Sequence, residues 1–360
     1  MDYIDAILHM TFAFDVGYEI DLERARPLLQ GESGKLPRRK RTPESIRYRP
    51  APLRVPVDVS ELALPGGITA VQPPRAELSL FDFAAISLAV QFPLRLMPES
   101  LLNLAGLLAE PAPMTDAARR AVAPWLERIR PAVEGFEVSE ISEEYFIFQV
   151  GDVGTEWIRE HNEWVAGLVR LESSPLSRSE VVEATRLSLS YTPNDLVTLD
   201  WAAGFVADRD CADTLQVIEF ANVQLLEFRH IDDRLDDRLE AAYRLIGPRR
   251  RISTPMALLR PHSEAVRNVR ELEIEATSLF ERADNALKLI GDQYLSRVFD
   301  LASTRFHLRE WQSIRRKLDT VGNVYDLLVQ QAGGTRMELL EVIVIALITL
   351  EVVMAIIRRH

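Results

Sequence analysis

One cysteine occurs in 360 residues. Cys211 alone cannot close an intrachain disulfide or furnish a cysteine-based zinc site, and a single thiol suits a reducing compartment. It falls at the start of a predicted helix and is read as a structural thiol. Histidine is sparse too: His9, His161, His230, His262, His307 and His360 are scattered, with no HExxH pair, and each is expected on a surface or helix face. No GxSxG, no GxGxxG after a strand and no kinase-like set is present, so no catalytic residue, cofactor or metal ligand is assigned. An export signal is missing as well. Asp2 and Asp5 stand where a signal peptide or presequence carries Lys or Arg, and Asp15 interrupts the apolar run that follows.

Long apolar runs are absent except for one. From Leu339 to Ile357 the chain reads LLEVIVIALITLEVVMAII, nineteen residues in which only Glu341, Thr349 and Glu351 are polar, followed by Arg358, Arg359 and His360. As a helix it would be about 28 Å long, close to the ~30 Å hydrocarbon thickness of a bilayer. Glu341 falls in its first turn, at headgroup depth. Glu351 lies deeper and needs a partner, either Arg358 seven residues on or a second copy of the chain. The expectation is a C-terminal membrane anchor over 339–357, with the bulk of the chain cytoplasmic. A buried core helix or an interfacial helix is the alternative.

The net charge of −12 is unevenly spread. Between residues 35 and 54, Lys35, Arg38, Arg39, Lys40, Arg41, Arg47, Arg49 and Arg54 face only Glu44. This Pro-, Gly- and Arg-rich stretch, within 31–56, is predicted to be an exposed loop that could bind an anionic partner. It contains GESGK, but only two residues separate Gly31 from Gly34 and Leu36 stands where a phosphate loop needs Ser or Thr.

Alternating apolar residues predict strands at 7–20, within 78–94, at 143–150 and in 197–210. Helices are predicted for DLERARPLL, PESLLNLAGLLAE, TDAARRAVAPWLERIRPAV and EWIREHNEWVAGLVRL. Phe81-Asp82-Phe83-Ala84-Ala85 and Leu199-Asp200-Trp201-Ala202-Ala203 match in kind and suggest an internal β-β-α duplication. After Asp210 the pattern turns helical. Apolar residues recur at three- and four-residue steps, and Trp311, Ile314, Leu318, Val321, Tyr325 and Leu328 trace a coiled-coil seam. The acidic run from Asp232 to Glu240 is broken by Arg234 and Arg238 and reads as a solvated face. The predicted fold is α+β: a mixed or antiparallel sheet domain with helices over 1–210, a helical coiled-coil region over 211–335, and one transmembrane helix over 339–357.

The tail, Met337-Glu338-Leu339-Leu340-Glu341 running into IVIALITLEVV, resembles the end of the required-for-meiotic-nuclear-division family. Ile218-Glu219-Phe220-Ala221-Asn222 and the strand around Phe81-Asp82-Phe83 are similar to that family's middle. The resemblance implies a membrane-attached, oligomer-forming protein without an assigned enzymatic activity; the Ala- and Arg-rich composition suggests a bacterial relative. Its expected function is that of a non-enzymatic scaffold or adaptor, with membrane lipid, a second copy and an unidentified protein as partners. A soluble enzyme with a buried C-terminal helix, or an RNA or ribosome adaptor acting through the basic loop, are the rival readings.

Overall fold

The computed structural model describes residues 3–29, 50–151, 153, 155–246 and 292–308, with isolated helical positions between 314 and 323. The basic residues Lys35 to Arg49, the apolar segment 339–357 and every seam position except Ile314 lie outside the described residues. Among those described, no helix is long and apolar enough to cross a membrane.

Twelve residues, Ile4–Asp15, form β1, and Glu19–Ile20 form the short β2. Helix α1 (Leu22–Leu28) starts on Asp21, whose carboxylate accepts from the Arg24 amide at 3.0 Å. Then come β3 (Leu53–Val57), β4 (Arg75–Leu80), β5 (Ala85–Leu96), α2 (Pro98–Leu107), α3 (Ala112–Ile129), β6 (Val133–Glu134) and β7 (Ser142–Val150). Helices α4 (Thr155–Glu160), α5 (Asn162–Arg170) and α6 (Arg178–Ala184) lead to β8 (Ser188–Leu189), β9 (Leu196–Leu199) and β10 (Ala203–Ala207). Last are α7 (Ala212–Ile246) and α8 (Gln293–Arg305). The fold is thus mixed α+β. Eight strands make one sheet in the order β3-β4-β5-β1-β7-β10-β9-β8, antiparallel throughout except where β10 lies parallel to β7; β2 and β6 pair separately.

Alternation sorts each strand's side chains between two faces. Leu8, Met10, Phe12 and Phe14 of β1, Leu88 and Val90 of β5, Phe146 and Phe148 of β7 and Phe205 of β10 join one core with α2, α3, α5 and α6. Burying each of these side chains is worth about 1.5–3 kcal/mol. The opposite face is also buried, but by different residues: His9, Thr11, Asp15, Ser79, Ser87, Glu143 and Gln149 are polar and at most 7% exposed. Contacts described below place α7 and α8 over it.

Compact packing divides the chain into two units: Met1–His230 with Glu281–Glu310, and Ile231–Phe280 with Trp311–His360. The first half of α7 and the whole of α8 fall in the same unit as the sheet. The cause lies in α7 itself. Nearly every residue from Val217 to Phe228 is buried, apolar or not, which is the signature of a helix enclosed on several sides and not of a two-helix seam. At 35 residues α7 is the long helix expected after position 210.

Three expectations need correction. The stretch ending the basic loop is a strand: Leu53–Val57 pairs with Ala76–Leu80 at the sheet edge, a place where Pro56 is tolerated, and Arg54 meets Glu77 at 3.3 Å. EWIREHNEWVAGLVRL is two helices. His161 breaks them with non-helical backbone angles, its ring stacked 4.0 Å from Trp157 and its Nδ1 2.8 Å from the Trp157 carbonyl. The FDFAA and LDWAA segments both occupy strand-to-strand turns, β4–β5 and β9–β10, but the turns differ. The first closes from the Phe81 amide to the Ala85 carbonyl with Ala84 at φ 63°; the second closes from the Asp200 amide to the Ala203 carbonyl.

Candidate functional site

The buried polar face of the sheet is laid out by strand register. One cross-strand rung runs Arg54, Ser79, Ser87, Ala13, Glu143 over five strands. The next runs Glu77, Ala89, Thr11, Tyr145. Small residues at these positions let a helix approach closely, and α7 brings polar groups of its own. Asn222 donates to the Glu143 carbonyl at 3.3 Å, Arg229 forms an ion pair with the Glu143 carboxylate, and His230 Nε2 lies 3.5 Å from Asp15. Glu219, buried, sits against Ser87, Ser79 and the field of Arg54. Phe220 of α7 packs against Phe81 and against Phe299 of α8, 6.4 and 6.2 Å between ring centroids. The result is a polar seam beneath α7, flanked by aromatic contacts.

Burial dominates the proton affinities in this seam. It pushes Glu143 up to about 7, with the nearby Glu144 charge adding to it and Arg229 opposing. It raises Glu219 too, against Arg54 and the two serine hydroxyls, and it lowers His9 despite the Gln149 hydrogen bond at 2.8 Å. His9 is a sheet residue and 7% exposed, not the surface histidine its isolation in the sequence suggested. Because Glu143 binds its proton more tightly folded than unfolded, its contribution is greatest below about pH 4.5 and is lost as pH rises through about 7. That loss is on the order of 3 kcal/mol. Denaturant melts of Glu143→Gln across this range should show a flatter pH profile and greater stability than wild type above pH 7; an unchanged slope would refute the assignment.

A second charged cluster sits at the β9–β10 turn. Asp200, fully buried, pairs with Arg170 of α5 at 2.9 Å and with Arg305 of α8, while its oxygen accepts from the Trp201 amide at 2.6 Å. Tyr145 donates to the Asp200 carbonyl at 2.8 Å, and Arg170 also reaches Glu180 at 3.4 Å. One carboxylate thus ties together a strand turn and two helices. Burial, and then the neighbouring Arg170, lower the Arg305 proton affinity.

Of the residues singled out from sequence, few lie here. Among the seam positions, Ile314 is described and is fully buried within the chain, so its side chain is already covered; Trp311, Leu318, Val321, Tyr325 and Leu328 lie outside the described residues. So do Lys35, Arg38, Arg39, Lys40, Arg41, Glu341, Glu351, Arg358 and Arg359. In the acidic run Asp233, Asp236, Asp237 and Glu240 are exposed; Asp232 and Asp236 each hold Lys317 at 2.8 Å, and against its partial burial these bonds raise the lysine's proton affinity. Cys211 is buried immediately before α7 and burial pushes its thiol up to about 12, which fits a structural role. Sequence reading missed Glu143, Asp15 and the Ser79–Ser87 pair. The available signal was that polar residues alternate in β4 and β5 with a fully apolar face, while Ile218-Glu219-Phe220-Ala221-Asn222 places two polar residues among the apolar ones of a long helix.

The family model that matches this chain carries the description "Uncharacterized protein MJ0711, N-terminal domain" and covers residues 5–214. The uncharacterized protein MJ0711 of Methanocaldococcus jannaschii is 24% identical over 208 residues, which is 55% of this chain and 61% of that protein. The matched region thus spans less than two thirds of the relative's length. No solved structure matches. The matched residues contain the described strands, β1 from its second residue, and α1 to α6, whereas Glu219, Arg229, His230 and Arg305 lie beyond them.

Proposed function

The chain belongs to the family of the uncharacterized protein MJ0711, N-terminal domain, and on that premise we propose that it is a membrane-attached scaffold or adaptor and not an enzyme. The observation that carries this reading is the nineteen-residue run Leu339 to Ile357, with sixteen apolar residues and basic residues on both sides, Arg336 before it and Arg358 and Arg359 after. The likeness of the tail to the required-for-meiotic-nuclear-division family supports the same assignment, including self-association. In this reading the sheet unit is the part that meets partners on the cytoplasmic side. Glu351 is shielded by pairing of anchors from two copies.

Flotation with lipid vesicles separates this from a soluble protein with a core helix. The full chain is expected to float, and a chain ending at Gly334 to stay with the soluble fraction. If both remain soluble, the anchor is wrong; if both float, attachment resides elsewhere.

A further inference from the structure

We propose that Glu143, Arg229, Asp15 and His230 form a proton-operated latch at which α7 is held to the sheet, the seat tightening as protons are taken up and loosening as they leave. Arg229 and His230 are the last two residues of α7 that fall in the sheet unit. They meet two carboxylates on neighbouring strands. Arg229 pairs with Glu143 of β7, and His230 Nε2 lies 3.5 Å from an Asp15 oxygen of β1. Strand register puts Glu143 opposite Ala13, and Asp15 follows two positions on, so both carboxylates rise from the same face. Asn222, seven residues before Arg229 and on the same side of the helix, donates to the Glu143 carbonyl at 3.3 Å. One strand residue is thus held twice: through its carbonyl, by a bond that no proton alters, and through its carboxyl, by one that depends on charge.

The direction of the response follows from the groups that face each carboxyl. Glu143 is met by Arg229 from α7 and by Glu144 from its own strand. Glu144 in turn is bonded by Thr115 at 3.5 Å and lies in the fields of Arg119 and Arg229. Asp15 is met by His230, and Glu227 and Arg234 stand about one turn to either side of that histidine on α7. The Glu143 side chain is 9% exposed and Arg229 is 50% exposed, so a guanidinium half in water offsets only part of the cost of ionising a buried carboxyl. Burial outweighs the ion pair and pushes Glu143 up to about 7. The protonated acid sits in the closed seat without that cost. His230 works in the same direction, since it attracts Asp15 as an ion only when it carries its proton. Both groups thus favour the docked helix in their protonated states.

Hydrogen exchange of the full chain tests the latch, expressed as protection factors so that the intrinsic pH dependence of exchange cancels. The α7 amides from Asn222 to His230 should be less protected than those of β1 and β7, and should exchange with little urea dependence, as local opening does. Their protection should fall at least about tenfold between pH 6 and pH 8, the change that a carboxyl moved from 4.5 to about 7 produces over that interval. Glu143→Gln should abolish most of this fall and leave α7 better protected than wild type at pH 8. Arg229→Met, which strands the carboxylate, should steepen it. His230→Gln should reduce the fall without removing it, and in the Glu143→Gln/His230→Gln double variant protection should stay within about twofold. Wild-type protection that is level from pH 6 to pH 8 would overturn the proposal, and so would a fall that persists unchanged in the double variant. Exchange of the α7 amides only together with those of β1 and β7, at the same urea dependence, would show that the helix does not open on its own and would overturn it too.

Discussion

Replacing Asp200 with alanine is expected to destabilise the sheet unit by about 3 kcal/mol, the effect of breaking a buried ion pair and leaving its partners uncompensated. The side chain is 1% exposed and holds two guanidiniums whose own exposures are 27% for Arg170 and 12% for Arg305. Without the carboxylate, two like charges face each other in a space closed by Tyr145 and the β9–β10 turn. In a unit of this size the loss corresponds to a fall in melting temperature of roughly 6–12 °C. Calorimetry of the variant measures it. Two comparisons separate charge from shape. Asp200→Asn keeps an acceptor for the Trp201 amide but loses the charge, and should recover only a minor part of the stability. Adding Arg305→Met to Asp200→Ala removes one of the stranded cations and should recover more than that, a non-additivity expected of residues in direct contact. A melting temperature for Asp200→Ala within about 2 °C of wild type would show that the cluster is solvated in solution.

The second large effect lies in the proposed anchor. Thirteen Leu, Ile and Val residues between 339 and 357 contribute about −6 kcal/mol to insertion, and one mid-helix carboxylate removes ~2.5–3.5 kcal/mol of it. The margin is therefore near 3 kcal/mol, small enough for one substitution to erase. Ile348→Asp, at the centre of the run, should reduce the membrane-bound to soluble ratio roughly a hundredfold, since about 3 kcal/mol is two powers of ten. Glu351→Leu should increase that ratio by a similar factor and weaken self-association, because the group that needs shielding is gone. Quantitative flotation with analytical ultracentrifugation in detergent reads both quantities. Equal partitioning of Ile348→Asp and wild type would indicate that the run does not enter the hydrocarbon.

Much of the fold was legible because most strands carry dense, alternating apolar residues. Ile4–Asp15, Ala85–Leu96, Ser142–Val150 and the pair around Leu199 all announce themselves by branched and aromatic side chains at two-residue steps. Leu53–Val57 does not, since five residues containing an arginine and a proline carry too little periodicity to stand out from the basic stretch before them. Strand order was not legible at all. The parallel pairing of β7 with β10 joins residues more than fifty apart, and no local pattern specifies it.

The polar seam was hidden for a related reason. Ser79 and Ser87 look like the outward-facing half of an ordinary two-sided strand, and only the arrival of α7 turns that face into an interior. Helix α7 was recognised as long and striped, but a stripe at three- and four-residue steps serves a coiled coil and a sheet-covering helix equally well. What distinguishes them is the enclosure of Gln224, Asn222 and Glu219, which are 1%, 1% and 7% exposed; a coiled coil would have left some of these in solvent. Asp200 was noticed for its place in the repeated LDWAA segment, while its two arginine partners come from positions 30 residues before and 105 residues after it.

The central claim is attachment to a bilayer through residues 339–357. Extraction of membranes with alkaline carbonate tests it most directly, because that treatment strips proteins held by charge or by a partner and leaves those whose chain enters the hydrocarbon. The account predicts that the full-length protein stays with the sedimented membranes. Its complete release into the carbonate supernatant would contradict the account.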